Sequence, residues 1–168
     1  MPAEPKSAIA IRFASVDDVP LILAFVRDLA EYERRADHVV ATEEDLRRTL
    51  FGDRPAAEVL FAEIGAEAVG FALFFGTYST FVGKPGFYLE DLYVQPEYRG
   101  RGVGQRLLKE LAVLAVERGC ARIDWSVLDW NESAITFYQQ LGALPQGEWQ
   151  TYRLTGDALE KLARRTIS

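Results

Sequence analysis

The sequence predicts an α/β protein, a mixed sheet with helices on both faces. Three observations carry that expectation. Apolar runs in the first half are separated by short glycine-containing turns, which reads as hairpins. In the second half, apolar runs alternate with helical periodicity, which reads as strand–helix units. Between the two regimes, a glycine- and arginine-rich loop over residues 95–104 joins a strand to a long helix.

The elements follow in order. Ala8 to Phe13 alternates around Arg12 and predicts a strand. Ser15 suits a helix N-cap, with Asp17 and Asp18 in the first turn, where the helix dipole favours acids. Val19, Ile22, Leu23, Val26, Leu29 and Ala30 then keep helical spacing to about Tyr32. Thr42 opens a second helix, with Asp45 at the capping-box position and Gly52 past its end. Val59 to Ile64 and Ala68 to Thr77 are strands joined by a turn at Gly65 and Ala66. Gly83 to Gly86 is a turn-rich loop around Pro85, and Phe87 to Val94 is a strand that Pro96 ends. Val103, Leu107, Leu111 and Leu114 mark a helix running from Arg101 to Gly119. Arg122 to Leu128 reads as a strand and Asn131 to Leu141 as a helix closed by Gly142. A terminal strand over Trp149 to Leu154 and a helix from about Gly156 complete the chain.

At 168 residues the chain is sized for one domain. Residues 1–7 read as a flexible tail and 8–168 as the domain. With 49% hydrophobic and 26% charged residues, the composition excludes a disordered or fibrous chain. Gly or a charge breaks every apolar stretch before membrane-spanning length, so no membrane partner is expected. The start, Met1 to Ser7, has Glu4 and Lys6 but no apolar core after a basic cluster, so a cytoplasmic protein is expected. One cysteine, Cys120, and one histidine, His38, leave no internal disulfide, and no metal site is expected. Cys120 reads as a small packed residue, not a nucleophile, because no histidine is near it in sequence. The net charge of −6 argues against a nucleic-acid partner. That charge is uneven: residues 1–95 carry −7 and residues 96–168 carry +1. Two ordinary solvated surfaces would explain this, as would an acidic half facing a cationic substrate and a less acidic half holding an anion.

The segment Arg99-Gly100-Arg101-Gly102-Val103-Gly104 is where chemistry first shows. Glycines allow positive φ and close approach of an anion to backbone N–H groups. The helix N-terminus leaves unsatisfied donors and adds its dipole. Two familiar phosphate loops fail here. A Walker loop needs Lys and Ser/Thr after its last Gly, but Gln105 and Arg106 follow Gly104. A dinucleotide fingerprint needs Gly where Gln105 stands. A tight structural turn would explain the glycines alone; the arginines and the strand–loop–helix setting favour a pyrophosphate cradle.

With Asn131-Glu132-Ser133-Ala134-Ile135-Thr136-Phe137-Tyr138 downstream, the loop resembles the signature blocks of the GCN5-related N-acetyltransferase (GNAT) superfamily, in order and spacing. More narrowly, Tyr32-Glu33, Tyr88-Leu89-Glu90-Asp91-Leu92-Tyr93-Val94 and Trp130-Asn131-Glu132 resemble the diamine (spermidine/spermine) and thialysine N-acetyltransferases, over about residues 9–163. The resemblance implies a mostly antiparallel GNAT-type sheet, a homodimer, and acetyl-CoA as co-substrate. It implies that Leu92, Tyr93 and Val94 line the pantetheine with edge backbone groups, and that a strand N–H near Tyr93 serves the oxyanion. It gives the pyrophosphate to Arg99, Gly100, Arg101, Gly102, Val103, Gly104 and Gln105, and the pantetheine arm to Asn131.

Transfer to an amine also needs a base and an acid. The resemblance nominates Glu90 as the base, acting through water. Tyr138 matches the general acid; it lies about two helical turns after Asn131, on one helix face, although a packed aromatic beside Phe137 would look the same. Glu90 and Asp91 are adjacent on a strand, so their side chains should point to opposite faces. Tyr32 and Glu33 match acceptor-side positions, and Glu90, Asp91 and Trp149 are read with them; a solvated helix end, salt-bridging strand acids and a core tryptophan are the plain alternatives. Trp130 and Trp149 are candidate channel walls, since aromatic faces attract ammonium groups. Two positions depart from the diamine acetyltransferase pattern. Ser79 stands where an Asp is usual, and Glu148 follows Gly147 instead of preceding Gly-Trp. Fewer acids favour a short acceptor over spermine. The expected activity is therefore acetyl transfer to a small primary amine: a diamine, a polyamine or a thialysine-like amino acid. A protein N-acetyltransferase and a non-catalytic acyl-CoA-binding module are the alternatives.

Overall fold

Two hairpins build most of the sheet. In a computed structural model that describes residues 8–165, β2 (Glu58–Ile64) and β3 (Glu67–Ser79) pair across the expected turn, where Gly65 takes φ 67°. β3 then turns back into β4 (Lys84–Val94). β1 (Ile9–Phe13) lies outside β2, and β5 (Ile123–Trp125) lies outside β4, giving the order β1-β2-β3-β4-β5. Neighbours run antiparallel except β4 and β5, which are parallel. The expected tail over residues 1–7 lies outside the described residues.

Three helices belong to the same compact unit, which extends to Leu128: α1 (Val19–Tyr32), α2 (Glu43–Phe51) and α3 (Val103–Glu117). Strand alternation assigns them to faces. Phe71 stacks on Phe25 of α1, with ring centroids 5.5 Å apart. Its neighbour Gly70 points the other way, where an added Cβ would lie 3.3 Å from Val103 of α3. So α1 and α3 cover opposite faces. The α1 side holds a buried cluster of Ile22, Phe25, Leu29, Leu50, Val59, Phe61, Phe71 and Tyr93. Full burial of each Phe stabilises by about 1.5–3 kcal/mol, and Phe71→Ala should cost this layer about 3–5 kcal/mol.

Local signals act as read. The Thr42 hydroxyl accepts from Asp45 N–H at 3.2 Å, and the Asp45 carboxylate accepts from Thr42 N–H at 3.0 Å. A short 3-10 turn over Val16–Asp18 precedes α1, whose first turn contains Pro20. Three expectations need correction. β4 starts at Lys84, inside the expected loop, because Lys84 already pairs with Ser79. β5 covers only Ile123–Trp125, not Arg122 to Leu128. No strand forms over 149–154 among the described residues. That stretch belongs to a second unit, from Asp129, whose regular elements are the helices α4 (Glu132–Gln140) and α5 (Gly156–Ala163). It therefore has no strand of its own unit to pair with, and an isolated strand leaves its backbone groups unsatisfied.

Candidate active site

One extra residue in β4 organises the site. Leu73 pairs with Asp91 and Phe74 with Leu89, so Glu90 has no partner on β3. This is a β-bulge, which kinks a strand and resets its alternation. Before it, Leu89 shares the face of Phe74, the α3 side. After it, Asp91 and Tyr93 share the face of Leu73 and Phe71, the α1 side. The strict alternation behind the sequence-based expectation for Glu90 and Asp91 is broken here: Asp91 is brought to the α1 side, and Glu90, in the bulge, lies close enough for its charge to act on both Asp91 and Glu33.

The bulge also marks where β5 stops. β5 pairs with Phe87, Tyr88 and Leu89 only, so among the described residues no strand covers the outer edge of β4 from Glu90 to Val94. Gln95 N–H donates to Val69 O at 2.9 Å. In this register Tyr93 exchanges its backbone bonds with Phe71, and the N–H and C=O groups of Leu92 and Val94 face the open edge. The donors near Tyr93 are thus Leu92 and Val94, and Tyr93 itself is tied to β3.

Three carboxylates act on one another near the end of α1. Helix α1 stops sharply: Glu33 N–H bonds Leu29 O at 2.9 Å, Arg34 takes φ 59°, and Arg35 N–H returns to Ala30 O at 2.7 Å. That stop fixes Glu33 directly after Tyr32. Burial pushes the Glu33 carboxyl up, Arg35 opposes the rise and Glu90 adds to it. Asp91 is pushed up to about 7, by burial first and then by the charges of Glu90 and Glu33. Like charges held together disfavour full ionisation, and a cation placed among them would relieve the strain.

The glycine loop lies beyond β4. Gly100 and Gly102 take φ 72° and 87°, which L side chains rarely adopt. A Cβ on either would meet no protein atom within 4 Å, so the backbone there is open to a visitor. Arg106 N–H is bonded to Gly102 O at 2.9 Å, leaving the N–H groups of Val103, Gly104 and Gln105 without a helix partner. The donor set fits a pyrophosphate. Arg101 lies over the Tyr98 ring at 5.2 Å, and Tyr98 Oη donates to Glu67 at 2.9 Å. Arg99 is placed differently: its Nε donates to Val94 O at 2.9 Å, and its guanidinium lies 4.8 Å from the Tyr32 ring centroid. The sequence offered no sign of that contact between residues 67 positions apart.

The remaining predicted residues belong to the second unit. Asn131 caps α4, its Oδ1 accepting from Ala134 N–H and from Ser133 Oγ, each at 3.3 Å. Tyr138 is within α4, its ring 5.4 Å from that of Phe137, and Gly142 at φ 87° ends the helix as expected. Trp130 directly precedes the cap. Trp149 follows a turn at Gly147 and Glu148, its N–H reaching Gln146 O at 3.3 Å.

Comparison with known proteins agrees in kind. The model of the Acetyltransferase (GNAT) family matches residues 24–143. The thialysine N-epsilon-acetyltransferase of Sus scrofa is 41% identical over 168 residues, covering 94% of this chain and 98% of that one. The L-ornithine N5-acetyltransferase of Arabidopsis thaliana is 35% identical over 202 residues, covering 94% and 89%. Among solved structures, an integron cassette protein from the mobile metagenome of V. cholerae superposes with a TM-score of 0.79 at 27% identity, covering 94% of this chain and 98% of that one.

Proposed function

The chain belongs to the acetyltransferase (GNAT) family, whose enzymes use acetyl-CoA as co-substrate, and we propose that its acceptor is the primary amine of a small cation: a short diamine or a thialysine-like amino acid. One observation carries this reading, the trio Glu33, Glu90 and Asp91 beside the open edge of β4. Acetyl transfer to small amines by the relatives named above supports it.

Each group has a task. An amine with pKa near 10 is almost wholly protonated at pH 7, with roughly a thousandth as free base. The trio binds the ammonium, and Glu90 with Asp91 takes one proton, directly or through water. The freed nitrogen then attacks the thioester carbon. A backbone N–H of Leu92 or Val94 donates to the oxygen as negative charge gathers there. Tyr138 gives its hydroxyl proton to the departing sulfur. Gly100, Arg101, Gly102, Val103, Gly104 and Gln105 hold the pyrophosphate, and Asn131 holds the pantetheine arm. The resemblance assigns Tyr32 and Trp149 acceptor-side roles.

The family match runs through both compact units, which supports reading residues 8–168 as one acetyltransferase domain. By the resemblance to the diamine acetyltransferases we read the protein as a homodimer. A sedimentation mass near 18.9 kDa at micromolar concentration would contradict the dimer. The decisive experiment follows thiol release from acetyl-CoA over a panel of amines. Thialysine, lysine-like amines or short diamines should give the highest kcat/KM. Spermine as the clear favourite would overturn the short-acceptor reading.

A further inference from the structure

Arg99 begins the signature loop, yet its side chain turns back from it. Nε donates to Val94 O at 2.9 Å, on the edge of β4 that no described strand covers. The guanidinium carbon lies 4.8 Å from the Tyr32 ring centroid and 5.6 Å from that of Tyr93. Tyr32 is the last residue of α1, and Glu33 follows it. Tyr93 is buried, two residues past Asp91 in β4. One planar cation therefore touches the helix end that presents Glu33 and the strand that presents Asp91. It also occupies the carbonyl adjacent to the edge donors. A planar guanidinium can stack on two rings while donating in its own plane; a lysine ammonium cannot do both.

We propose that Arg99 is a positioning residue: it braces Tyr32 and Glu33 against β4 at Val94, and so sets the spacing between the acceptor carboxylates and the strand edge, instead of neutralising phosphate. Arg101 is the natural contrast, because it lies on Tyr98, which is anchored to Glu67. The proposal rests on the small-amine reading of the same site.

The two roles separate in binding and kinetics. For Arg99→Gln and Arg99→Lys, calorimetry would give the Kd for CoA, and thiol release would give KM for the amine and kcat. A brace predicts that amine KM rises about 5- to 20-fold in both variants while the Kd for CoA stays within about twofold. Lysine should not rescue, since charge alone is not what matters. The retained CoA affinity also reports that the variants are folded; if Arg99→Gln does not fold, Arg99→Lys decides by the same criteria. A Kd for CoA raised tenfold or more in Arg99→Gln and restored in Arg99→Lys would overturn the proposal, as would an amine KM within twofold of wild type. A wild-type protein that turns over no small amine defeats the acceptor reading instead, which keeps the two failures apart.

Discussion

The two halves of β4 share one strand and differ in what flanks them. From Phe87 to Leu89 the strand is paired on both sides, with β3 and with β5. From Glu90 to Val94 only β3 pairs with it among the described residues. The first half contributes buried apolar surface: Phe87 and Leu89 are 4% and 2% exposed, and Phe87 packs on Phe74 with centroids 4.9 Å apart. The second half contributes two carboxylates, two free edge donors and the carbonyl held by Arg99. The contrast teaches that the strand has backbone groups to lend where the ladder stops, and the proposed chemistry draws on those groups.

The largest expected effect tests that contrast directly. Leu92→Pro removes an N–H that the ladder does not use, so kcat should fall about 10²–10³-fold, as for loss of an oxyanion donor, while the melting temperature changes little. Phe87→Pro removes an N–H bonded to Arg122 O at 3.0 Å. It should cost about 1–3 kcal/mol of stability for the stranded acceptor, beyond any packing loss. Normal turnover by both folded Leu92→Pro and folded Val94→Pro would break the comparison.

Asp91→Asn should lower kcat/KM by about 10- to 100-fold at neutral pH. Wild-type kcat/KM should rise with pH through about 7 as the Asp91 carboxyl ionises, and the variant's profile should lack that step. The stability sign is opposite. Folded Asp91 holds its proton to higher pH than the unfolded chain does, so the folded state loses stability as pH rises from about 4 to about 7. Denaturation across that range should show a shallower loss for Asp91→Asn.

The smaller effects lie away from the open edge. In the paired half, a Cβ on Gly86 would fall 2.9 Å from Thr77 Oγ1 and 3.2 Å from Arg122 O. Gly86→Ala should therefore cost about 1–2 kcal/mol of stability and leave amine KM unchanged. Asp18 is the charge that behaves oppositely to Asp91. Its hydrogen bond to Arg12 at 2.8 Å holds its carboxyl down at about 2. That contribution is complete above about pH 4 and is lost as pH falls through about 2. Solvent reaches the Arg12 side chain, so Asp18→Asn should cost about 1 kcal/mol at pH 7. Equal stability of the two proteins at pH 7 would show the pair to be idle.

Much of this was legible in the sequence, and what was missed has a physical cause. Helix limits followed from caps and glycines, because those residues satisfy or free backbone groups within a few positions. The glycine loop was legible for the same reason. The bulge was not. Phe87, Leu89, Asp91 and Tyr93 keep an unbroken two-residue spacing, and only pairing with β3 reveals that the later two face the other way. Nor was the Arg99 stack on Tyr32 visible, since it joins the end of α1 to the start of the loop through space alone. The expected strand over 149–154, which does not form, shows the converse: strand propensity gives no strand without a partner edge.

Glu90 is also, literally, one residue too many. Remove that codon and Leu89 would precede Asp91 in an uninterrupted ladder, with every other side chain of β4 keeping its present face. The deletion would be a repair as far as the sheet is concerned, and the shortened protein should melt at the same temperature or higher. It would lose one acid of the trio, and the kink at which β4 and β5 part. Among single-codon deletions in the core of this gene, this one should be recovered readily in a screen for folding and absent from a screen for acetyl transfer.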